Sequence, residues 1–275
     1  QMCPVATGSQ TAGSVNRPAA FNGVVGLKPT YGRVSRFGVF PVSWSLDTLG
    51  WMAREVRDAA VVLDAVSGFD PRDPASVRRP PSAVTDALDR ADPSWRPRIG
   101  TGGGPFVGES SDEVRMHVGE VAKTLERAGA EVVSFDLPDS FSGIHEAQVV
   151  IDYSECAMVH RETFARRAVD YAPAVRSRIE CGALIPASAY VQAQRLRRRF
   201  RSDMESALAG SIDVILMPAT PTPAPRDLTT TGNPVFQAPW TTCGLPVLNL
   251  PTGMSGSKLP IGIQLVARGW DEETL

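Results

Sequence analysis

A serine among very small residues is the feature of this sequence with the clearest chemical use. Ser14 directly follows Thr11, Ala12 and Gly13, and side chains this small let backbone N–H groups approach a ligand closely. A serine hydroxyl can attack a carbonyl carbon when nearby N–H groups stabilise the oxyanion that forms. These residue types and their spacing therefore predict a loop that presents the Ser14 hydroxyl for acyl transfer.

The same stretch has a plainer interpretation, which composition alone favours: a turn rich in glycine and serine, without chemistry. The nucleophile elbow of α/β-hydrolases is excluded, because its G-x-S-x-G pattern needs a glycine on each side and the chain reads A-G-S-V-N at residues 12–16. Pro18 restrains the backbone and biases Arg17 away from the helical region. Val24 and Val25, bracketed by glycines, predict a short buried strand after the loop.

Longer motifs extend on both sides of this loop. The run over residues 8–30 reads GSQTAGSVNRPAAFNGVVGLKPT, and it closely resembles the core of the amidase signature family. The likeness continues, in the family's order, through Y-G-R-V-S (31–35), S-L-D-T-L-G (45–50), D-V-I-L-M-P followed by T-P (213–221), G-L-P (244–246) and L-P-I-G-I-Q-L (259–265). On these motifs the sequence is identified as a member of the amidase signature family.

The resemblance implies an α/β fold in which helices cover both faces of a mixed β-sheet core. It also implies hydrolysis of a carboxylic amide to an acid and ammonia or an amine, through an acyl-serine intermediate. In the family, the residue at the position of Ser14 is the nucleophile, and the backbone N–H groups at the positions of Thr11, Ala12 and Gly13 form the oxyanion hole. Gln10 and Ala12 stand where many members have Asp and Gly, but main-chain contacts tolerate such changes.

The base that activates the serine is expected outside this sequence. The family uses a lysine, relayed through a second serine on a cis peptide, and both lie upstream of the position of Gln1. Because a hydroxyl is a poor nucleophile without a base, we expect residues 1–275 to be an interior portion of a longer protein, a single and partial amidase-signature domain. Residues 98–210 are expected to form a variable α/β and helical subregion within it. Lys28 is expected to be a hydrogen-bonded structural lysine and not a substitute base.

Substrate binding is predicted for two residues near the serine. The guanidinium of Arg17 can bind a carboxylate bidentately, which would favour small acidic amides, or it can brace the loop through backbone carbonyls. Both roles stay open for Arg17, and Gln10 is the second predicted substrate-binding residue. Residues 217–222 and 241–244 are predicted either as pocket walls or as simple turns.

Hydrophobic periodicity predicts the elements that must position this loop. A helix is expected over residues 53–67, and a strand, a helix and a strand over residues 98–137 form an α/β crossover unit. Residues 153–209 are expected to be mainly helical. Buried strands are expected over residues 212–217, 247–250 and 261–266.

Composition excludes several other classes of protein. A net charge of −2 and a pI near 6.0 give no electrostatic case for binding nucleic acid or a membrane surface. The arginines over residues 195–201 are expected to form a solvated helix face paired with acids. No apolar run approaches the ~20 residues of a membrane span. The four cysteines are scattered, which predicts free thiols in a cytoplasmic protein, and neither a metal site nor a cofactor is predicted.

Two further interpretations belong to other functional classes. The first is the glutaminase (A) subunit of a tRNA-dependent amidotransferase, which uses the same serine and passes ammonia to a partner subunit. Such subunits usually carry D-T-G-G-S-I-R where this chain reads Q-T-A-G-S-V-N-R. The second is a non-catalytic binding module. For the favoured amidase, the predicted partner is a small-molecule amide, without direct contact to nucleic acid or membrane, and a homodimer is left open.

Overall fold

The computed structural model describes residues 3–102, 104–210, 212–227 and 229–275. Eight strands of this part of the chain form one sheet. In chain order they are β1 (Val5–Gln10), β2 (Val25–Lys28), β3 (Thr48–Ala53), β4 (Arg98–Gly102), β5 (Glu131–Phe135), β6 (Val214–Pro218), β7 (Val247–Met254) and β8 (Pro260–Ala267). Across the sheet the order is β1-β3-β2-β7-β8-β6-β4-β5.

Helices in the described residues form the layers on either side of the sheet. They are α1 (Asn16–Asn22), α2 (Val56–Val66), α3 (Val84–Asp89), α4 (Gly104–Glu109), α5 (Asp112–Arg127), α6 (Ile144–Arg167), α7 (Pro173–Ala183), α8 (Ala187–Leu208) and α9 (Ala238–Cys243). The predicted helix over residues 53–67 corresponds to α2. The predicted helical region corresponds to α6, α7 and α8, but it begins earlier than expected, at Ile144.

The sheet is mixed. β4 pairs in parallel with both β5 and β6, whereas the pairs β1–β3, β2–β3, β2–β7, β7–β8 and β6–β8 are antiparallel. Parallel neighbours need a long connection between them, and α5 supplies it for β4 and β5. The predicted crossover unit is therefore confirmed.

Alternate residues of the central strands face two separate hydrophobic cores. Ile215 and Met217 of β6 pack in a core with residues of α6, α8 and α9, whereas Val214 and Leu216 pack with residues of α5. A third cluster packs α2 and α3 against β2 and β3. Because side chains alternate along a strand, helices cover both faces of the sheet, as the predicted fold class requires.

Two strands were not expected from the sequence, one backbone prediction is wrong, and the definition of one subregion stays a prediction. β1 and β3 are strands that the hydrophobic pattern did not predict. The predicted bias of Arg17 away from the helical region is wrong, because α1 begins at Asn16 and so includes both Arg17 and Pro18. Proline is tolerated in a first turn, where the backbone N–H has no intrahelical partner. Residues 98–210 contribute β4 and β5 to the common sheet, and their definition as a subregion stays a prediction.

Candidate active site

Ser14 lies in the loop between β1 and α1. Its side chain is exposed, while its neighbours Gly13 and Val15 are buried. Val15 has no exposed surface, and its carbonyl accepts the Ala19 N–H of α1 at 3.1 Å. The loop is therefore anchored on both sides of Ser14, which is itself exposed.

Gln10 lies beneath this loop and does not open onto a pocket. Only 1% of Gln10 is exposed, and its Oε1 accepts the N–H groups of Val15 and Asn16 at 2.8 and 3.0 Å. Its Nε2 donates to Thr241 Oγ1 at 2.9 Å. The Gln10 carboxamide therefore positions the start of α1, and the contact of Gln10 with substrate stays a prediction.

Thr241 of α9 sets the direction of a peptide plane in the loop. Its buried hydroxyl donates to the Ala12 carbonyl at 2.7 Å. In a trans peptide, the C=O of one residue and the N–H of the next point in opposite directions, and the described residues contain no cis peptide bond. Because the Ala12 carbonyl points toward Thr241, the Gly13 N–H points away from α9.

The next peptide plane is fixed in the same way. The Gly13 carbonyl accepts the Arg17 N–H at 3.0 Å, so the Ser14 N–H points away from α1. Within the described residues, the N–H groups of Ala12, Gly13 and Ser14 have no hydrogen-bond acceptor. Successive N–H donors beside an exposed hydroxyl form an arrangement that can bind a negatively charged oxygen.

Asp47 holds the loop from the side of β3. Thr11 Oγ1 donates to Asp47 Oδ1 at 2.5 Å, and Asp47 Oδ2 accepts the N–H groups of Val42 and Ser43 at 2.8 and 3.0 Å. The Asp47 side chain is buried. Its carboxylate therefore links the loop that contains Ser14 to the segment over residues 42–47.

Arg17 is half-buried in the first turn of α1. Its Nη1 donates to the Gly232 carbonyl at 3.0 Å, and its Nη2 donates to Thr231 Oγ1 at 3.0 Å. Burial lowers the pKa of the guanidinium, and no acidic neighbour counteracts this shift. Arg17 therefore makes the kind of bracing contact to a backbone carbonyl that was one of its two expected roles. Among the described residues, its positive charge has no acidic partner.

Two segments were predicted from the sequence as pocket walls or turns, and residues 241–243 of one of them belong to helix α9 and not to a turn. Both segments approach the loop. Thr241 belongs to one of them, and Ala219 of the other accepts a hydrogen bond from Gln237 Nε2. Gln237 packs against Gly13 so closely that a Cβ on Gly13 would lie 2.9 Å from Gln237 Oε1. A side chain at position 13 would therefore displace Gln237 or the loop.

Lys28 of β2 is fully buried. Its Nζ donates to the Pro29 carbonyl at 3.0 Å. Burial lowers its pKa to about 8, against the opposite effects of Cys243 and Glu272. Burial and this hydrogen bond agree with the structural role expected for Lys28.

The expectation of a solvated helix face formed by the arginines over residues 195–201 is only partly right. Arg199 and Arg201 lie within ion-pair distance of Asp203 and Glu205, four residues later on α8. Arg197, however, donates to the backbone carbonyls of Thr242 and Ser45 at 2.6 and 2.5 Å. It turns inward because α8 packs against α9, and it helps to hold the helix that carries Thr241.

A cavity of about 210 Å³ lies beside Asp47 and is lined mainly by apolar side chains, among them Phe37, Val39 and Trp44. Ser9 of β1 is also a lining residue, and Ser14 is not. Because Gln10 points toward α1 and neighbouring strand residues point to opposite faces, this cavity lies across β1 from the Gln10 side chain.

The sequence did not assign a role to Asp47 or to Gln237, which both contact the loop. Asp47 lies within the S-L-D-T-L-G motif, so a polar residue inside a family motif was the available signal. Gln237 carries no such signal, because its contact with Gly13 joins positions more than two hundred residues apart.

Solved structures of the same architecture include a peptide amidase. The peptide amidase PAM, in complex with the competitive inhibitor chymostatin, matches 99% of this chain and 61% of its own chain, with a TM-score of 0.81 and 32% identity. A structure described as a vestigial protein complex that reveals the evolutionary origins of an s-triazine catabolic enzyme matches 98% of this chain and 60% of its own, with a TM-score of 0.87 and 33% identity.

The chain belongs to the amidase family, whose model, described as Amidase, matches residues 1–275. Among curated relatives, the A subunit of the glutamyl-tRNA(Gln) amidotransferase of Xanthobacter autotrophicus is 34% identical, over 100% of this chain and 61% of its own length. The chain therefore spans about 60% of the length of the relatives it matches. In the described part of the chain, no helix is long and apolar enough to cross a membrane.

Proposed function

We propose that the complete protein is an amidase that hydrolyses a carboxylic amide through an acyl-serine formed on Ser14. The observation that carries this proposal is the fixed loop, in which an exposed hydroxyl lies beside backbone N–H groups that have no acceptor among the described residues. Membership of the amidase family supports the same reaction.

In the proposed reaction, Ser14 Oγ forms a bond to the amide carbonyl carbon, and the carbonyl oxygen becomes an oxyanion. The N–H groups of Thr11, Ala12 and Gly13 were the donors expected from the sequence, and the orientation of the peptide planes adds the N–H of Ser14 to this set. Losing one such donor typically costs about 3 kcal/mol of transition-state stabilisation. Positioning by Thr241 and Asp47 therefore matters for the rate of acylation.

The C–N bond then breaks and the amine or ammonia leaves with a proton, which produces an ester on Ser14. Water attacks this ester, releases the carboxylic acid and restores the hydroxyl. The proton of Ser14 must pass to a base, and the resemblance to the amidase signature family assigns that base to a lysine and a second serine upstream of Gln1.

The direct test is labelling of the full-length protein with a fluorophosphonate, which reacts with activated serines, followed by mapping of the modified peptide. We expect labelling at Ser14 that is absent from the Ser14→Ala variant. Ser9→Ala is the matched control, because Ser9 is also exposed and lies on the adjacent strand, and this variant should label normally. A folded full-length protein that is not labelled at Ser14 would contradict the proposal and favour a non-catalytic binding module.

The uncompensated charge of Arg17 supports amides that carry a carboxylate as the substrate class. A guanidinium binds a carboxylate through two parallel hydrogen bonds, and Arg17 uses only one N–H on each terminal nitrogen for its contacts with Gly232 and Thr231. The alternative is that Arg17 only braces the loop, through its hydrogen bonds to Gly232 and Thr231.

Two variants separate these roles of Arg17. We expect Arg17→Ala to raise KM for carboxylate-bearing amides about tenfold or more, since hydrogen bonds between charged groups contribute about 1.5–3 kcal/mol, with little change for neutral amides. Thr231→Val removes part of the brace and keeps the charge, so KM should stay unchanged. Equal losses for acidic and neutral amides in both variants would show that Arg17 only braces the loop.

A second candidate function is a glutaminase subunit of an amidotransferase, which the name of the curated relatives favours. Glutaminase activity that appears only when a second subunit copurifies would support it. Amide hydrolysis by the isolated full-length protein would support the first proposal. The homodimer and the cytoplasmic location stay predictions.

A further inference from the structure

Arg197 of α8 connects two segments that support the loop containing Ser14. Its Nε donates to the Thr242 carbonyl at 2.6 Å, and its Nη2 donates to the Ser45 carbonyl at 2.5 Å. Thr242 belongs to α9, the helix that contacts the loop from behind. Ser45 belongs to the segment over residues 42–47, which holds the loop from the side of β3. A single guanidinium therefore joins both supports.

Two further side chains hold the second segment beside Arg197. The Tyr31 hydroxyl donates to the Trp44 carbonyl at 2.7 Å, and Arg36 Nη1 donates to the carbonyls of Trp44 and Asp47 at 2.6 and 3.0 Å. Both guanidiniums also lie over the Tyr31 ring, with the Cζ atom of Arg36 4.9 Å and that of Arg197 5.9 Å from its centroid. Cations at such distances are attracted by an aromatic ring. These three residues are named here the arginine–tyrosine cluster (Tyr31, Arg36 and Arg197).

The peptide groups of Ser45 are held at both ends. Its N–H donates to Glu155 Oε2 at 3.0 Å, its hydroxyl donates to Glu155 Oε1 at 2.7 Å, and its carbonyl accepts from Arg197. Glu155 has no exposed surface. Burial lowers the pKa of the Arg197 guanidinium, against the opposing effects of Tyr31 and Glu155. The segment over residues 42–47 is thus fixed between an acid of α6 and an arginine of α8.

We propose that Arg197 is the central positioning residue of this cluster and aligns the backbone donors of the Ser14 loop for the proposed reaction. This inference rests on the proposed function, because it concerns the same site. The N–H groups of a guanidinium form a rigid fork, so a shift of the Thr242 carbonyl relative to the Ser45 carbonyl breaks a hydrogen bond. A lysine ammonium is a single charged point on a flexible stem and does not impose this spacing.

Two side chains transmit the alignment from the supports to the loop. Thr241 of α9 directs the Gly13 N–H through its hydrogen bond to the Ala12 carbonyl, and Asp47 holds Thr11. The oxygen of the substrate becomes negative only as the reaction proceeds, so a misplaced donor weakens the transition state more than it weakens substrate binding. A displacement of about 1 Å that originates far from the reacting atoms can lower the rate about a hundredfold.

The test is the kinetics of fluorophosphonate labelling at Ser14 in the full-length protein. We expect Arg197→Lys, which keeps the charge and loses the fork, to lower the maximal labelling rate constant by about tenfold to a hundredfold. The probe concentration that gives the half-maximal rate should not change. The final labelled fraction should equal that of the wild type, since partial misfolding reduces this fraction and not the rate constant. Arg199→Lys is the matched control, because Arg199 lies on the same helix, is exposed and pairs with Asp203, and its labelling rate should be that of the wild type.

Two other variants separate positioning from stability. Leu208→Ala removes a buried core side chain at the C-terminal end of α8, so it should lower the free energy of unfolding without slowing the labelling of Ser14. Tyr31→Phe keeps the ring and loses the hydroxyl, and we expect the rate constant to fall about threefold to tenfold. This variant decides the question if Arg197→Lys does not fold.

The outcomes distinguish this inference from the proposed function. A wild-type rate constant in folded Arg197→Lys, or in Tyr31→Phe, would overturn the inference, as would an equal decrease in Leu208→Ala. Labelling of the wild type at Ser14 would still support the proposed function in each of these cases. A folded wild type that is not labelled at Ser14 would overturn both.

Discussion

The hydroxyl of Thr241 makes two hydrogen bonds that hold the candidate site together. It accepts from Gln10, which positions the start of α1, and it donates to Ala12, which orients the Gly13 N–H. Asp47 holds Thr11 on the opposite side. Side chains from three separate segments thus hold the loop around Ser14, and the Thr241 hydroxyl also orients one of its backbone donors.

We expect Thr241→Val, which keeps the shape of the side chain and removes the hydroxyl, to lower the free energy of unfolding. Gln10 Nε2 and the Ala12 carbonyl would both lose a buried partner, at about 1–3 kcal/mol for each group left unpaired. The rate of fluorophosphonate labelling at Ser14 should also fall. Chemical denaturation and labelling kinetics measure the two effects.

Thr242→Val is the matched control for this prediction. Thr242 lies next to Thr241 in α9, is equally buried and donates to the Ala238 carbonyl of its own helix. Its loss should reduce stability without slowing the labelling of Ser14. Equal labelling rates for both variants would refute the orienting role of Thr241.

At the scale of single residues, the sequence was sufficient to place Ser14 in an exposed loop and to identify Lys28 as structural. It was not sufficient to find the hydrogen bonds of Gln10, whose role in substrate binding stays a prediction. One partner of Gln10 is Thr241, which lies 231 positions away. A contact between residues so far apart leaves no periodic pattern in one sequence, so only the folded chain shows it.

Helix α6 carries two buried acids with different surroundings. Glu155 accepts hydrogen bonds from Ser43, Ser45 and Tyr190, and so it ties the helix to the segment that contains Asp47. Asp152, one turn earlier, is buried with Oδ1 lacking a hydrogen-bond partner among the described residues. Burial raises the pKa of Asp152 to about 6, against the opposing effect of Arg178.

This pKa predicts a dependence of stability on pH. Between about pH 4 and pH 6 the folded protein keeps a proton on Asp152 that the unfolded chain has released, so the contribution of this group to stability is largest at low pH and is lost as pH rises through 6. In Asp152→Asn the side chain is neutral at every pH. We expect the wild type to lose up to about 3 kcal/mol more than this variant on going from pH 4 to pH 7.5.

Urea denaturation at the two pH values measures this difference. Asp170→Asn is the control, because Asp170 is exposed and pairs with Arg167 at the surface. It should show the same pH dependence as the wild type. A wild type and an Asp152→Asn variant that change in parallel would show that Asp152 is already charged at pH 4.

The first strand of the crossover unit reads R-I-G-T-G and has no apolar alternation. At the scale of elements, the helix and the second strand of that unit were predictable because each has an apolar period. β1 and β3 were not. β1 reads V-A-T-G-S-Q, with small and polar residues that give no alternation. β3 contains Gly50, where a Cβ would collide with the Leu27 carbonyl. These strands form because of their neighbours in the sheet, and propensity contributes little to them.

The molecule as a whole depends on the core between the sheet and the helices α6, α8 and α9. Phe200 of α8 has no exposed surface, and its ring lies 5.9 Å from that of Phe141 and 6.1 Å from that of Trp240. Trp240 directly precedes Thr241 in α9. The packing of this core therefore supports the rear of the candidate active site.

We expect Phe200→Ala to lower the free energy of unfolding by about 3–5 kcal/mol, the usual cost of removing a buried phenylalanine. Phe40→Ala is the control, since 73% of Phe40 is exposed, and it should change stability by less than about 0.5 kcal/mol. Denaturation curves of both variants, with slopes compared to the wild type, provide the test. Similar stabilities would mean that the core rearranges to fill the space.

The distances in sequence between Ser14 and its supports also determine when the site forms during synthesis. Arg17, Gly13 and Gln10 all contact residues over 231–241, the last large segment before β7 and β8. Chains grow from the N-terminus, and contacts between distant residues close late. A nascent chain that has reached only the end of α8 already carries the serine but none of these supports. The loop can therefore gain its final geometry only after most of this sequence has left the ribosome.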